Sequence, residues 1–283
     1  MKKTTLLKLI LPLFIFLMSN INTQAQFKTP YGNNKAVGKY VKINKAKIYF
    51  EEYGEGEPLL IIHNCGADIK AMEYQIDYFK DKFRVIAVDS RGQGKSELKT
   101  KNLTYSLMAK DLDGLIKHLK LDSINILGWS DGGIVGLKMG INNKTKIKKI
   151  VTMGVNLRLD TTAVNSWAID QVKEMHSETI AMIKKGDHSK NWEKELQLDK
   201  LLLDQPDISH ADLKKINAAV LITIGDRDII KNEHAVEIFN NLPKAQLCIM
   251  PGSNHGIPRN NAKTFNEIAD KFLSTEFDYS AKE

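Results

Sequence analysis

The sequence predicts an α/β protein: a mostly parallel sheet of eight strands with helices on both faces. Three observations predict it. Short apolar runs, 59–62 and 220–224 among them, lack the in–out alternation of a half-exposed strand and read as strands buried on both faces. These runs alternate with segments of helical period, the pattern of crossovers between parallel strands. The composition, 42% hydrophobic and 27% charged over 283 residues, is that of a globular chain long enough to bury a large core without disulfides.

Taken in order, a short polar lead after residue 26 gives way to two strands, 39–43 and 47–53, around Asn44-Lys45. Gly54-Glu55-Gly56-Glu57-Pro58 is a turn. A buried strand follows at 59–62, then a helix over 69–80 with Ile69, Met72, Ile76 and Phe79 on one face. The next strand is 83–88. Leu107, Leu112, Leu115, Ile116 and Leu119 mark a helix over 104–120. Strand 124–127, helix 132–140 and strand 147–153 continue the alternation, which resumes with strand 220–224, helix 233–241, strand 245–250 and helix 262–273. Residues 155–212 interrupt it. They hold no buried strand, but 166–184 and 191–203 read as amphipathic helices. We read 155–212 as a small helical cap inserted in one domain spanning 26–283.

The first 25 residues are read separately. Met1-Lys2-Lys3 is a basic start, 6–18 is apolar apart from Lys8, and the stretch closes on Thr23-Gln24-Ala25. This is the pattern of a secretory signal peptide cleaved after Ala25, and the apolar run is short for a membrane span of about 20 residues. The expectation is a secreted or periplasmic protein with no stable membrane span after cleavage. Three of the lysines lie in 1–25 and no acid does, so +4 of the formal +7 belongs to the remainder. The cluster Lys144, Lys146, Lys148 and Lys149 carries no nucleic-acid motif and reads as solvated surface. Cys65 and Cys248 sit at or near the ends of separate strands and are expected to be free, mostly buried thiols. Their spacing suits no zinc site, and no metal or other cofactor is expected.

The chemistry concentrates at Gly128-Trp129-Ser130-Asp131-Gly132-Gly133, which follows a strand and opens a helix as a G-x-S-x-G nucleophile elbow does. Small residues at Gly128 and Gly132 allow the strand and helix to approach, and the helix N-terminus faces the serine with free N–H groups. Serine needs a base, itself held by a third group. Downstream, Gly225-Asp226-Arg227-Asp228 follows one strand and Pro251-Gly252-Ser253-Asn254-His255 follows the next. All three residues then stand at the edge of the sheet where such proteins bind ligands. Ser130 is the candidate nucleophile and His255 the candidate base. Asp226 and Asp228 both offer a carboxylate. The backbone N–H groups of Asp131 and Cys65 are the candidate oxyanion donors, and Asn64 and Trp129 are candidate substrate contacts. The Asp131 side chain either complements the helix N-terminus or attracts a cationic substrate group.

From about residue 39 to 273 the chain resembles the α/β-hydrolase family. The resemblance rests on the elbow, on Asp89-Ser90-Arg91-Gly92-Gln93-Gly94-Lys95-Ser96, which is similar to that family's D-x-R-G-x-G-x-S segment, and on the loops ending in Asp228 and His255. It implies Asp228 rather than Asp226 as the acid. It also implies a hydrolase that cleaves a small acyl substrate, an ester or lactone, through an acyl-enzyme. The Trp-Ser-Asp-Gly-Gly wording resembles small-molecule ester hydrolases, including those acting on amino-acid esters. A C–C or amide bond hydrolase would keep the same triad, and a non-catalytic binding protein of this fold is the remaining alternative. His63-Asn64 replaces the family's usual His-Gly. If that position requires a positive φ, asparagine is the next best residue after glycine.

Overall fold

The computed structural model describes residues 27–278; the leader read at 1–25 lies outside them. Strand β1 (Gly38–Ile43) pairs antiparallel with β2 (Ala46–Tyr53) through a tight turn in which Asn44 and Lys45 both take positive φ, the geometry that matches the twist of a hairpin. Then come β3 (Pro58–Ile62), helix α1 (Glu73–Phe79), β4 (Arg84–Val88), α2 (Tyr105–His118), β5 (Ser123–Trp129), α3 (Asp131–Asn142) and β6 (Lys146–Met153). Three helices follow without an intervening strand: α4 (Ser166–Lys184), α5 (Trp192–Asp204) and α6 (His210–Leu213). The sheet resumes with β7 (Ala219–Gly225), α7 (Asn232–Asn241) and β8 (Ala245–Met250), and the described chain closes with α8 (Ile257–Asn260) and α9 (Ala262–Ser274).

The eight strands form one sheet in the order β1-β2-β4-β3-β5-β6-β7-β8. The β1–β2 and β2–β4 pairs are antiparallel and the other five are parallel. The apolar runs show why the central strands need cover on both faces. Leu60 and Ile62 of β3 pack with Ile86, Ile126 and Ile222 against α2, α3 and α7. Leu59 and Ile61 turn the other way, with Val85, Leu127 and Val151, against α1 and α9. Each such side chain, removed fully from water, contributes roughly 1.5–3 kcal/mol before entropy is counted. The cap helices join the first of these layers through Ala168, Ile169, Leu198, Leu201 and Leu213.

The helix expected over 69–80 is divided. Ile69–Met72 is a tighter 3-10 turn, and α1 begins only at Glu73. The Asp68 carboxylate caps Lys70 N while the Asp89 carboxylate accepts from Ile69 N, so the first turn is pinned to the β4 loop. Both cysteines are free, as expected, but half-buried rather than mostly buried. Cys248 lies on β8, which has a neighbour on one side only. Among the described residues no helix is long and apolar enough to cross a membrane.

Candidate active site

Ser130 stands between β5 and α3 with φ 52° and ψ −116°, a region that L-residues avoid and that costs roughly 1–3 kcal/mol. Two glycines make the turn possible. A Cβ on Gly128 would lie 2.3 Å from the Gly132 carbonyl carbon, and one on Gly132 would lie 2.2 Å from Ile62 O. The turn is fixed by Ser130 N donating to Met153 O at 2.7 Å. Although Ser130 occupies the N-cap position, its side chain makes no capping hydrogen bond.

Asp228 and His255 come from the loops after β7 and β8. His255 Nδ1 and Asp228 Oδ1 are 2.7 Å apart, and the same carboxylate oxygen accepts from Ile230 N at 3.0 Å. The Asp228 side chain is fully buried. Asp226 is exposed and accepts instead from Ser253 N, closing the turn beside it. Of the two carboxylates, the structure therefore brings Asp228 to the histidine. Burial pulls the His255 pKa down, but the charge and hydrogen bond of Asp228, helped by the charge of Asp131, outweigh it and leave it raised. With the Nδ1 proton directed at Asp228, Nε2 is left as the basic nitrogen.

Ser130 and His255 line one cavity of about 330 Å³. The core contributes Asn64, Cys65, Tyr105 and Trp129 to its wall, and the cap contributes an apolar side including Leu159, Val164, Trp167, Ala168, Val172 and Leu202. Trp129 also donates from Nε1 to His255 O at 2.8 Å, so it holds the histidine loop. Asn64 does not have the positive φ that a glycine substitute would explain; that conformation falls two residues later, at Gly66, with φ 70°. Asn64 Oδ1 is buried without a partner. The Asp131 carboxylate is buried as well. Tyr105 OH donates to its Oδ1 at 2.9 Å, while Oδ2 has no partner with hydrogen-bond geometry. Burial pushes the Asp131 pKa up to about 6, against the pull of Tyr105, the Cys65 thiol and His255. Among the described residues no cluster of histidine, cysteine and carboxylate side chains is arranged to hold a metal.

A family model described as the alpha/beta hydrolase fold matches residues 58–179. The human protein named serine hydrolase BPHL is 27% identical over 82% of this chain and 85% of its own. The chain has the α/β-hydrolase fold and is a hydrolase. A 2-hydroxy-6-oxononadienedioate/2-hydroxy-6-oxononatrienedioate hydrolase from Comamonas testosteroni is 24% identical over 86% of this chain and 98% of its own. Among solved structures, a thermophilic esterase from Thermogutta terrifontis superposes with a TM-score of 0.68 at 22% identity, covering 84% of this chain and 98% of the esterase.

Three residues of this α/β-hydrolase site escape a reading of its sequence. Gly154, φ 64°, lies under the histidine: a Cβ there would stand 2.7 Å from His255 Cε1 and Nδ1. Asn165, at the entrance to the cap, donates from Nδ2 to Asp228 O at 3.0 Å. Tyr105, the first residue of α2, reaches Asp131. None sits in a local motif. The one available signal is that Gly154 directly follows a buried strand, at the edge of the sheet where ligands bind.

Proposed function

We propose that this hydrolase is a serine esterase for small carboxylic esters or lactones, working through an acyl-enzyme on Ser130. The observation that carries the reading is the 2.7 Å contact of His255 with buried Asp228, in loops that converge with Ser130 on one cavity. In this mechanism Ser130 Oγ attacks the acyl carbon while His255 Nε2 takes its proton. The proton then passes to the leaving alcohol, and a water activated by the same histidine releases the acid. Asp228 keeps the imidazole in the required tautomer and stabilises its cationic form. The N–H groups of Cys65 and Asp131 receive the oxyanion.

The preferred substrate carries an ammonium or other donor group near the scissile carbonyl. Asn64 Oδ1, buried without a partner, and the buried Asp131 carboxylate, which Tyr105 and the Cys65 thiol satisfy only in part, lie on the cavity wall and support this, since a buried acceptor left unmatched is costly. The relative from Comamonas testosteroni favours a second reading, cleavage of a C–C bond in a dienedioate. A buried carboxylate beside the nucleophile disfavours a dianionic substrate, although Arg227 reaches the cavity from its exposed rim. The pattern of residues 1–25 supports export with removal of the leader.

The test is hydrolysis of p-nitrophenyl acetate and butyrate, amino-acid esters and a vinylogous diketone by residues 26–283. Ser130→Ala is expected to lower kcat by about 10³-fold or more on every ester. Asp131→Asn is expected to remove a preference for amino-acid esters over their N-acetylated forms. Cleavage of the diketone with no esterase activity would establish the second reading instead.

A further inference from the structure

We propose that Gln93 is a positioning residue for the oxyanion hole, a role that rests on the esterase reading above. The loop His63-Asn64-Cys65-Gly66 would supply the Cys65 donor, and both of its ends are tied to the loop that follows β4. At one end Ser90 N donates to His63 Nε2 at 3.0 Å, which directs the Nδ1 proton to Asn64 O at 2.7 Å. At the other end Gly66 N donates to Gln93 Oε1 at 2.6 Å. At that second end a side chain would find nothing to pack on, because a Cβ on Gly66 would meet nothing within 4 Å. The hydrogen bond of Gly66 N to Gln93 is the side-chain restraint on the Cys65–Gly66 peptide, added to the turn bond from Ala67 N to Asn64 O at 3.4 Å.

Gln93 is suited to the task because its own backbone is rigid. It is 2% exposed. Its N–H donates to Ser90 O and its carbonyl accepts from Ser96 N. The Asp89 carboxylate gathers Ile69 N and Lys95 N around the same turn, and Gly94 lies against it so closely that a Cβ would come within 2.3 Å. The other end of the Gln93 amide is telling. Nε2 is buried and has no partner. A glutamine kept only to fill space would be replaced at a gain by an apolar side chain, since a buried donor left unmatched is unfavourable. What it retains is one acceptor, aimed at the loop that carries the oxyanion donor. Preorganised donors act in catalysis only when they are held where the charge develops.

The experiment compares the wild type with Gln93→Met, similar in size but without the acceptor, and Gln93→Glu, which keeps an oxygen there. Each is assayed on p-nitrophenyl butyrate and on the matching thionoester, whose sulfur is a poor hydrogen-bond acceptor. Folded sites are counted by fluorophosphonate labelling of Ser130. Removing an oxyanion donor outright costs about 10²–10³ in kcat, and displacing one is expected to cost about tenfold. Gln93→Met should therefore lose about tenfold in kcat per labelled site on the oxoester, with KM changed less than about twofold, a smaller loss on the thionoester and a milder effect in Gln93→Glu. Equal losses on both esters, or none, in an active and labelled wild type would overturn the role of Gln93 alone. A wild type that neither hydrolyses the ester nor takes the label would overturn the esterase reading, and this role with it.

Discussion

At His255 two influences of opposite sign meet. Burial favours the neutral ring, while Asp228, with Asp131 behind it, favours the imidazolium, and the balance raises the pKa above the ordinary value of 6.5. A general base works only when neutral. kcat/KM should therefore rise with pH through a midpoint above 6.5, measurable as a pH–rate profile on p-nitrophenyl butyrate. Asp228→Asn removes the main attraction and leaves burial opposed only by Asp131, so the midpoint should move down even as kcat falls by about 10³–10⁴-fold. A midpoint unchanged by that substitution would mean that another group titrates in the profile. The sign for folding is the reverse of that for catalysis. A raised histidine pKa adds stability that is complete below the unfolded value and is lost as pH rises through the folded one.

The elements of the fold differ in how they announce themselves. Buried strands declared their presence because a run such as 59–62 is apolar throughout, and the long cap helix Ser166–Lys184 and the strand Ala245–Met250 agree with the expectation at both ends. The four-residue helices α6 and α8 were not foreseen, since one turn is too short to show a period. The elbow was legible because its constraint is local: β5 and α3 need glycine where their backbones touch. The contacts of Tyr105 with Asp131 and of Asn165 with Asp228 were not, because they join residues 26 and 63 positions apart and depend on tertiary approach. That distinction predicts where substitution is least tolerated. Gly132→Ala would put a Cβ 2.2 Å from Ile62 O, a backbone atom in the middle of the sheet that cannot rotate away. The expected loss, read from urea unfolding, is about 3 kcal/mol or more. A loss below about 1 kcal/mol would show that α3 can lift from β3 without breaking the sheet.

Across the whole molecule, the cap is joined to the core next to the site. Asn165 N donates to Ile229 O and Lys231 N to Ala163 O, around the bridge of Val164 with Ile230. A second junction gathers on Glu237 of α7. Arg158 reaches it with two guanidinium nitrogens, at 2.7 and 2.9 Å, and His210 Nε2 and His234 Nδ1 approach at 2.6 and 2.8 Å. His234 completes the tie, because its Nε2 accepts from Leu157 N at 2.9 Å in the segment that leads from β6 into the cap. An imidazole that accepts at Nε2 and donates at Nδ1 is neutral, and burial, more than Arg158, holds the His234 pKa below its ordinary value against the pull of Glu237 and Asp160. The unfolded chain binds that proton more readily than the folded one. The resulting stability is therefore complete above the unfolded value of about 6.5 and is lost as pH falls towards the folded one. Protonation would also set an N–H at Nε2 against the N–H of Leu157 and release the entrance of the cap. His63, buried and neutral under the oxyanion loop, has the same sign, so part of the acid sensitivity belongs to it. The wild type should be less stable to urea at pH 5 than at pH 7.5. His234→Gln, which offers a donor and an acceptor but no titration, should start lower at pH 7.5 and lose less between the two. An unchanged difference in His234→Gln would assign the acid sensitivity to His63 and the carboxylates, and would leave the cap attached at low pH.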